Sequence, residues 1–186
     1  AHSWSGNLVT NAVWADSWLN EGFTSYIEGR IGEALFGQDH ARMAEALAWA
    51  DIQAAITDIP PNGQRLHWVG EVDANENSSA ITYDKGAVFL RTIEGIVGRE
   101  RLDAYLRSYF DRYAFHPMTT QAFLADFRQH VVRGDALLEQ RLMLDQWAYE
   151  PGIPSNAAVP QAEGFSDIPG YVEAFVAGGP AAAAPW

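Results

Sequence analysis

A chain of 186 residues with 48% hydrophobic and 19% charged content has ordinary globular composition and enough apolar mass for one sizeable core. It contains no cysteine, which excludes a disulfide framework and a thiolate metal site, so a transition metal here must be held by His and carboxylate; such a chain suits a reducing, cytoplasmic location. A formal net charge of −12 opposes binding to nucleic acid or to an anionic membrane surface, and no apolar run approaches the roughly 20 residues needed to span a bilayer.

The chain opens at Ala1 without an initiator Met and runs at once into an aromatic-rich stretch with Trp4, Trp14 and Trp18, which reads as a segment of a longer protein. Gly6 and Asn7 mark the end of a helix whose last residues are His2 to Ser5, since Gly is the usual residue just past a helix terminus. From Trp18 to Leu35, the apolar residues Leu19, Phe23, Tyr26, Ile27, Ile31 and Leu35 recur at three- and four-residue steps, a helix stopped by Phe36-Gly37. Asp39 is placed to cap a second helix through Met43, Leu47, Ile52 and Ile56, broken by Pro60-Pro61-Asn62-Gly63. Residues 58 to 79 form a long connection with a short extended candidate at Arg65 to Val69, and a loop of that length in a compact domain is more often functional than idle.

Helical periodicity resumes from Tyr83 to Gly98 and again from Leu102 to Tyr113. Pro117 separates these from a helix capped by Thr119 or Thr120 and carrying Phe123, Phe127 and Val131. A last helix is expected over about Asp135 to Tyr149, stopping before Pro151-Gly152. Two-residue alternation is nearly absent, so the fold class is mainly α. The expected organisation is one helical domain over residues 1–154, followed over 155–186 by an Ala/Gly/Pro-rich linker leading to a further C-terminal domain, with one short helix near Tyr171 to Val176.

Taken alone, His2 reads as a solvated or structural histidine and Glu21, at a helix start, as a charge that complements the helix dipole. Their setting changes that reading. The segments His2-Ser-Trp-Ser-Gly-Asn-Leu-Val-Thr-Asn11, Trp18-Leu-Asn-Glu-Gly-Phe-Thr24, Ile81-Thr-Tyr-Asp-Lys-Gly86 and Asp145-Gln-Trp147 with Pro151-Gly-Ile-Pro154 occur in one order along most of the chain. In that order they resemble the zinc aminopeptidases of the leukotriene A-4 hydrolase and aminopeptidase N type, whose pattern is HExxH, eighteen residues, then Glu in an Asn-Glu-Gly setting. Eighteen residues likewise separate His2 from Glu21.

The resemblance implies the helical lobe of a thermolysin-like metallopeptidase domain, one zinc ion, a peptide substrate and the remaining domains of a longer parent chain as partners. In HExxH two His four residues apart share a helix face and one metal, and a carboxylate from a second helix completes three protein ligands with a fourth position open. By this carry-over His2 is the second zinc-binding His and Glu21 the third protein ligand, while the first His and the general-base Glu are expected two or three positions before Ala1. Tyr83, otherwise an ordinary half-buried packing residue, matches the family tyrosine that donates a hydrogen bond to the oxyanion of the tetrahedral intermediate. Glu28, two helical turns after Glu21, is either a surface carboxylate or the outer hydrogen-bond partner of His2. Asp84 and Lys85 read as local support for the loop-to-helix turn. With only two of three ligands, the chain by itself is expected to be inactive, with an empty or partly filled site. Two other readings stand beside the peptidase one: a lipid epoxide hydrolase of the same family, for which Asn75 occupies a loop position where an acidic group is expected, and a non-catalytic helical interaction module.

Overall fold

A computed structural model describes residues 2–68 and 80–160, and beyond them 173, 176 and 177. The described residues are mainly helical, as the periodicity implies. A short 3₁₀ turn at Trp14–Asp16 leads into helix α1, Trp18–Phe36. Its first half buries Trp18, Leu19, Phe23 and Tyr26, whereas Ile31, Leu35 and Phe36 are exposed, so the apolar stripe read from the sequence is buried over only part of the helix. Gly37, at φ 89°, ends α1 with its N–H on the Glu33 carbonyl and also occupies the cap position of α2, Gln38–Asp58. The expected Asp39 cap is therefore corrected: Asp39 lies inside the first turn of α2, where its charge suits the helix dipole, and no side chain caps that end.

The expected extended segment at Arg65 to Val69 forms no strand over its described residues; instead His67 N–H bonds the Ala148 carbonyl and Trp68 N–H the Ala15 carbonyl. Val69 and Asn75 lie outside the described residues. A π-helical turn, Ala80–Lys85, runs directly into α3, Gly86–Val97. Gly98, at φ 89°, separates α3 from α4, Arg99–Tyr113. Two-residue strands β1, Thr10–Asn11, and β2, Pro117–Met118, pair in parallel and tie the N-terminal segment to the start of α5, Thr120–Phe127. The Thr119 hydroxyl caps α5 by accepting the Ala122 N–H at 3.1 Å, and a second π-helical turn, Arg128–Val132, extends it.

Asp135 caps the next helix through the N–H groups of Leu137 and Leu138. The single last helix expected there is divided: Met143 takes a left-handed conformation at φ 50°, giving α6, Ala136–Leu142, and α7, Leu144–Tyr149. The chain stays anchored past Pro154, since Asn156 accepts the Trp147 indole N–H and Ala158 N–H bonds the Thr92 hydroxyl. Of the helix expected near Tyr171 to Val176, most falls outside the described residues.

The core is aromatic. Trp18 packs against Phe23, Phe89 and Phe123, and Phe89 stacks on Trp147 with centroids 5.3 Å apart. Because Trp18 opens α1 and sits in this cluster, the turn carrying Glu21 is seated on the aromatic core. Lys85 does more than support its own turn: it is fully buried, and its Nζ donates to the carbonyls of Gln64 at 2.7 Å and Glu150 at 3.3 Å, joining three distant segments.

Candidate metal centre

The first side chain of the site stands on a helix terminus. Gly6 adopts φ 117°, and Asn7 N–H bonds the His2 carbonyl at 3.1 Å, the six-to-one hydrogen bond that closes a helix end on glycine. The expectation of a terminating helical turn at His2 to Ser5 matches this geometry. That turn lies across the first two turns of α1. There His2 Nε2 is 3.4 Å from Glu21 Oε2, with the His2 side chain 55% and the Glu21 side chain 20% exposed.

Glu21 Oε2 is a buried acceptor with no hydrogen-bond partner among the described residues. An unpaired buried carboxylate oxygen carries a desolvation cost, and a cation between it and the imidazole nitrogen removes that cost. Two zinc ligands at about 2.0–2.2 Å that subtend a tetrahedral angle stand roughly 3.4 Å apart, so the spacing and the donor types, one imidazole and one carboxylate, suit zinc. Among the described residues no third His, Cys, Asp or Glu joins them to complete a metal-binding group.

Tyr83 lies on the π-helical turn before α3 and is 37% exposed. Partial burial, and then the neighbouring Glu21 carboxylate through hydrogen bonding and charge, raise the Tyr83 phenol above its ordinary pKa. The phenol is thus held protonated at neutral pH, as a hydrogen-bond donor facing the carboxylate side of the centre. His2, Glu21 and Tyr83 share one face although the last two stand sixty-two positions apart in sequence.

Two glycines permit that approach. A Cβ on Gly22 would lie 2.8 Å from the Gly86 Cα and 3.3 Å from the Thr82 carbonyl oxygen, and a Cβ on Gly86 would lie 2.8 Å from the Gly22 Cα. Backbone meets backbone, so no side-chain rotation relieves either contact. Each glycine follows closely on a residue of the site, Glu21 in one case and Tyr83 in the other, which gives a physical reason for glycine in both motifs. Nothing in either motif taken alone discloses that their glycines touch.

Glu28 is exposed two turns further along α1, and no hydrogen bond or ion pair joins it to His2 among the described residues. The His2 Nδ1 instead faces the Thr24 hydroxyl at 3.4 Å. Thr24 was visible within the motif but carried no signal of its own. Asp84 is pushed up to about 6 by burial and by the charge of Asp51, against the opposing charge of Arg91, so it belongs to the packing between α2 and α3. Two cavities of the described residues lie elsewhere: one of about 600 Å³ is lined by Asp16, His67, Arg128, Asp145 and Tyr149, and one of about 540 Å³ by Trp4, Tyr26, Ile27, Leu106 and Phe110.

Residues 1–147 match the model of the Peptidase family M1 domain. Leucine aminopeptidase 2 of Neosartorya fischeri is 33% identical over 160 residues, covering 83% of this chain and 26% of the relative, and that of Emericella nidulans is 36% identical over 160 residues with the same coverage. Among solved structures, native leukotriene A4 hydrolase from Saccharomyces cerevisiae superposes with a TM-score of 0.76 at 31% identity over 83% of this chain and 25% of its own. An M1 zinc metallopeptidase from Deinococcus radiodurans superposes with a TM-score of 0.64 at 28% identity over 88% of this chain and 33% of its own. The chain thus spans about a quarter of the length of the curated relatives it matches.

Proposed function

The chain belongs to peptidase family M1, and we propose that it forms the helical side of a zinc aminopeptidase active site in which His2 and Glu21 are metal ligands and Tyr83 is the oxyanion donor. The observation that carries this reading is the 3.4 Å approach of His2 Nε2 to a Glu21 Oε2 that has no hydrogen-bond partner among the described residues, with Tyr83 against the same carboxylate. A catalytic zinc takes three protein ligands, so the third ligand and the base that accepts the proton of water are assigned to the rest of a whole protein. Activity, substrate and metal stoichiometry are accordingly properties of that whole.

A bound zinc supplies polarisation of the scissile carbonyl and activation of a water molecule at neutral pH. The residues of this chain do the following. Glu21 and His2 hold two coordination directions on elements packed against the aromatic core. Tyr83, kept protonated by burial and by Glu21, would donate a hydrogen bond to the carbonyl oxygen as negative charge develops there and keep its proton. The Gly22–Gly86 contact lets the π-helical turn that carries Tyr83 approach α1 closely, and the phenol turns from Glu21 to the substrate oxygen to make this bond. Restriction to free N-termini is supported by the relatives named leucine aminopeptidase 2.

The test uses the whole protein and a chromogenic aminoacyl anilide. Tyr83→Phe should lower kcat about 100- to 1000-fold with KM and zinc content nearly unchanged, because the lost hydrogen bond forms mainly in the transition state. Blocking the substrate amine by acetylation should abolish turnover. Full kcat in the Tyr83→Phe enzyme removes Tyr83 from the mechanism.

A further inference from the structure

We infer that Thr24 is a positioning residue of the metal centre, and that a hydroxyl relay through Thr24 and Ser5 to the Asn20 carbonyl fixes His2 in the tautomer whose Nε2 is free to bind metal. The inference rests on the reading of His2 and Glu21 as ligands.

Four groups lie in series. The Ser5 hydroxyl is 2.6 Å from the Asn20 carbonyl oxygen, the Ser5 and Thr24 hydroxyls are 3.2 Å apart, and the Thr24 hydroxyl is 3.4 Å from His2 Nδ1. A hydroxyl has one proton to give, and a backbone carbonyl can only accept. The Ser5 proton is therefore committed to Asn20, which leaves the Ser5 oxygen to accept from Thr24. With its own proton committed to Ser5, the Thr24 oxygen accepts from His2, so the imidazole proton resides on Nδ1. The nitrogen left with a lone pair is Nε2, which faces the Glu21 carboxylate at 3.4 Å; that acceptor pulls the proton the other way until a cation lies between the two, so the tautomer of the metal-free chain weighs the relay against Glu21 directly. Which nitrogen of a neutral histidine binds a metal is set by the hydrogen bond made by the other.

The relay is built into the fold at both ends. Ser5 is buried against α1, and Thr24 is buried one turn beyond Glu21. Asn20, the residue before Glu21, is bound a second time: its side-chain oxygen accepts the Asn11 N–H at 3.0 Å, and its amide N–H donates to the Asn11 side-chain oxygen. The terminating turn that carries His2 is thus clasped to α1 on both sides of Glu21, and the clasp sets ring position and tautomer together.

Two measurements test the inference. In this chain at a pH where the imidazole is neutral, ¹⁵N-resolved NMR of the His2 ring should show the Nδ1–H tautomer; Thr24→Val, which keeps the shape and removes the hydroxyl, should lose that preference, and Thr24→Ser should keep it. In the whole protein, Thr24→Val should raise the zinc dissociation constant about 10- to 100-fold, the usual consequence of losing a ligand's outer hydrogen bond, and Thr24→Ser should stay within a few-fold of wild type. Ser5→Ala, which breaks the relay one step away, should shift the tautomer in the same direction and serves if Thr24→Val does not fold. An Nε2–H tautomer in the wild type, an unchanged tautomer in both Thr24→Val and Ser5→Ala, or a Thr24→Ser protein that binds zinc as weakly as Thr24→Val overturns the inference. Unchanged zinc affinity in His2→Ala would instead overturn the ligand assignment and leave the tautomer result standing.

Discussion

The buried Lys85 makes stability depend on pH in a way that one substitution isolates. Burial lowers its pKa from 10.5 to about 7, and its Nζ faces two carbonyl oxygens, the number of protons a neutral amine can donate. In the unfolded chain the same amine holds its extra proton up to about pH 10.4. Between pH 7 and that value the unfolded state therefore binds one more proton than the folded state, so stability rises with pH across the window, by about 1.4 kcal/mol per pH unit from this residue. From pH 7.5 to 9.5 the gain is roughly 2–3 kcal/mol. Above pH 10 the buried tyrosines oppose it: Tyr26, Tyr105 and Tyr109 have phenols held protonated in the fold, mainly by burial, and they ionise more easily once unfolded. Urea unfolding followed by tryptophan fluorescence at pH 7.5, 8.5 and 9.5 should show the climb in the wild type. Lys85→Met, which removes the titrating group, should be flatter by the stated slope. Equal slopes for the two proteins would refute the reasoning that Lys85 is neutral in the fold.

The glycine contact gives a paired test. Gly86→Ala drives a Cβ into the Gly22 backbone and should lower stability by about 1–3 kcal/mol despite better helix propensity, whereas Gly95→Ala on the same helix meets nothing within 4 Å among the described residues and should raise it by about 0.5–1 kcal/mol, both read as unfolding midpoints. The 186-residue chain on its own, bringing together only two candidate ligands, should retain less than one equivalent of zinc after dialysis and should not turn over an aminoacyl anilide; elemental analysis and a rate assay check both, and stoichiometric zinc with turnover would show the ligand count to be wrong. Acid should loosen the Arg30–Asp103 pair, whose carboxyl is held below its ordinary pKa chiefly by the Arg30 hydrogen bond; this contribution is present above the unfolded pKa near 4 and is lost as pH falls through the lower folded value, so Asp103→Asn should flatten the acid limb of stability below about pH 4.

Much of the architecture was legible because it rests on local rules. The three- and four-residue spacing from Trp18 onward gives α1, and Gly37, Gly98, Thr119 and Asp135 punctuate the chain where their backbone or side-chain chemistry requires it. Periodicity did not reveal that Met143 would break the last helix, since a left-handed methionine, here partly buried against the core, has no sequence signal. Nor did it tell the buried turns of α1 from its exposed end at Ile31 and Leu35. At the candidate centre, His2, Glu21 and Tyr83 are singled out by the family resemblance, and the three lie near one another in the structure. The parts that position them, the Gly22–Gly86 contact and the Thr24 and Ser5 hydroxyls, arise where two segments meet, and no single segment encodes such a meeting.

The account stands on Glu21 as a metal ligand, and zinc content of the whole protein tests it most directly. Purified wild type should carry one zinc per chain after exhaustive dialysis. Glu21→Gln, which keeps the size of the side chain and removes its charge, should lose the metal while the helical circular dichroism stays intact, because the core formed around Trp18, Phe89 and Trp147 does not depend on that carboxylate. A Glu21→Gln protein that keeps one tightly held zinc per chain would contradict the assignment of the centre.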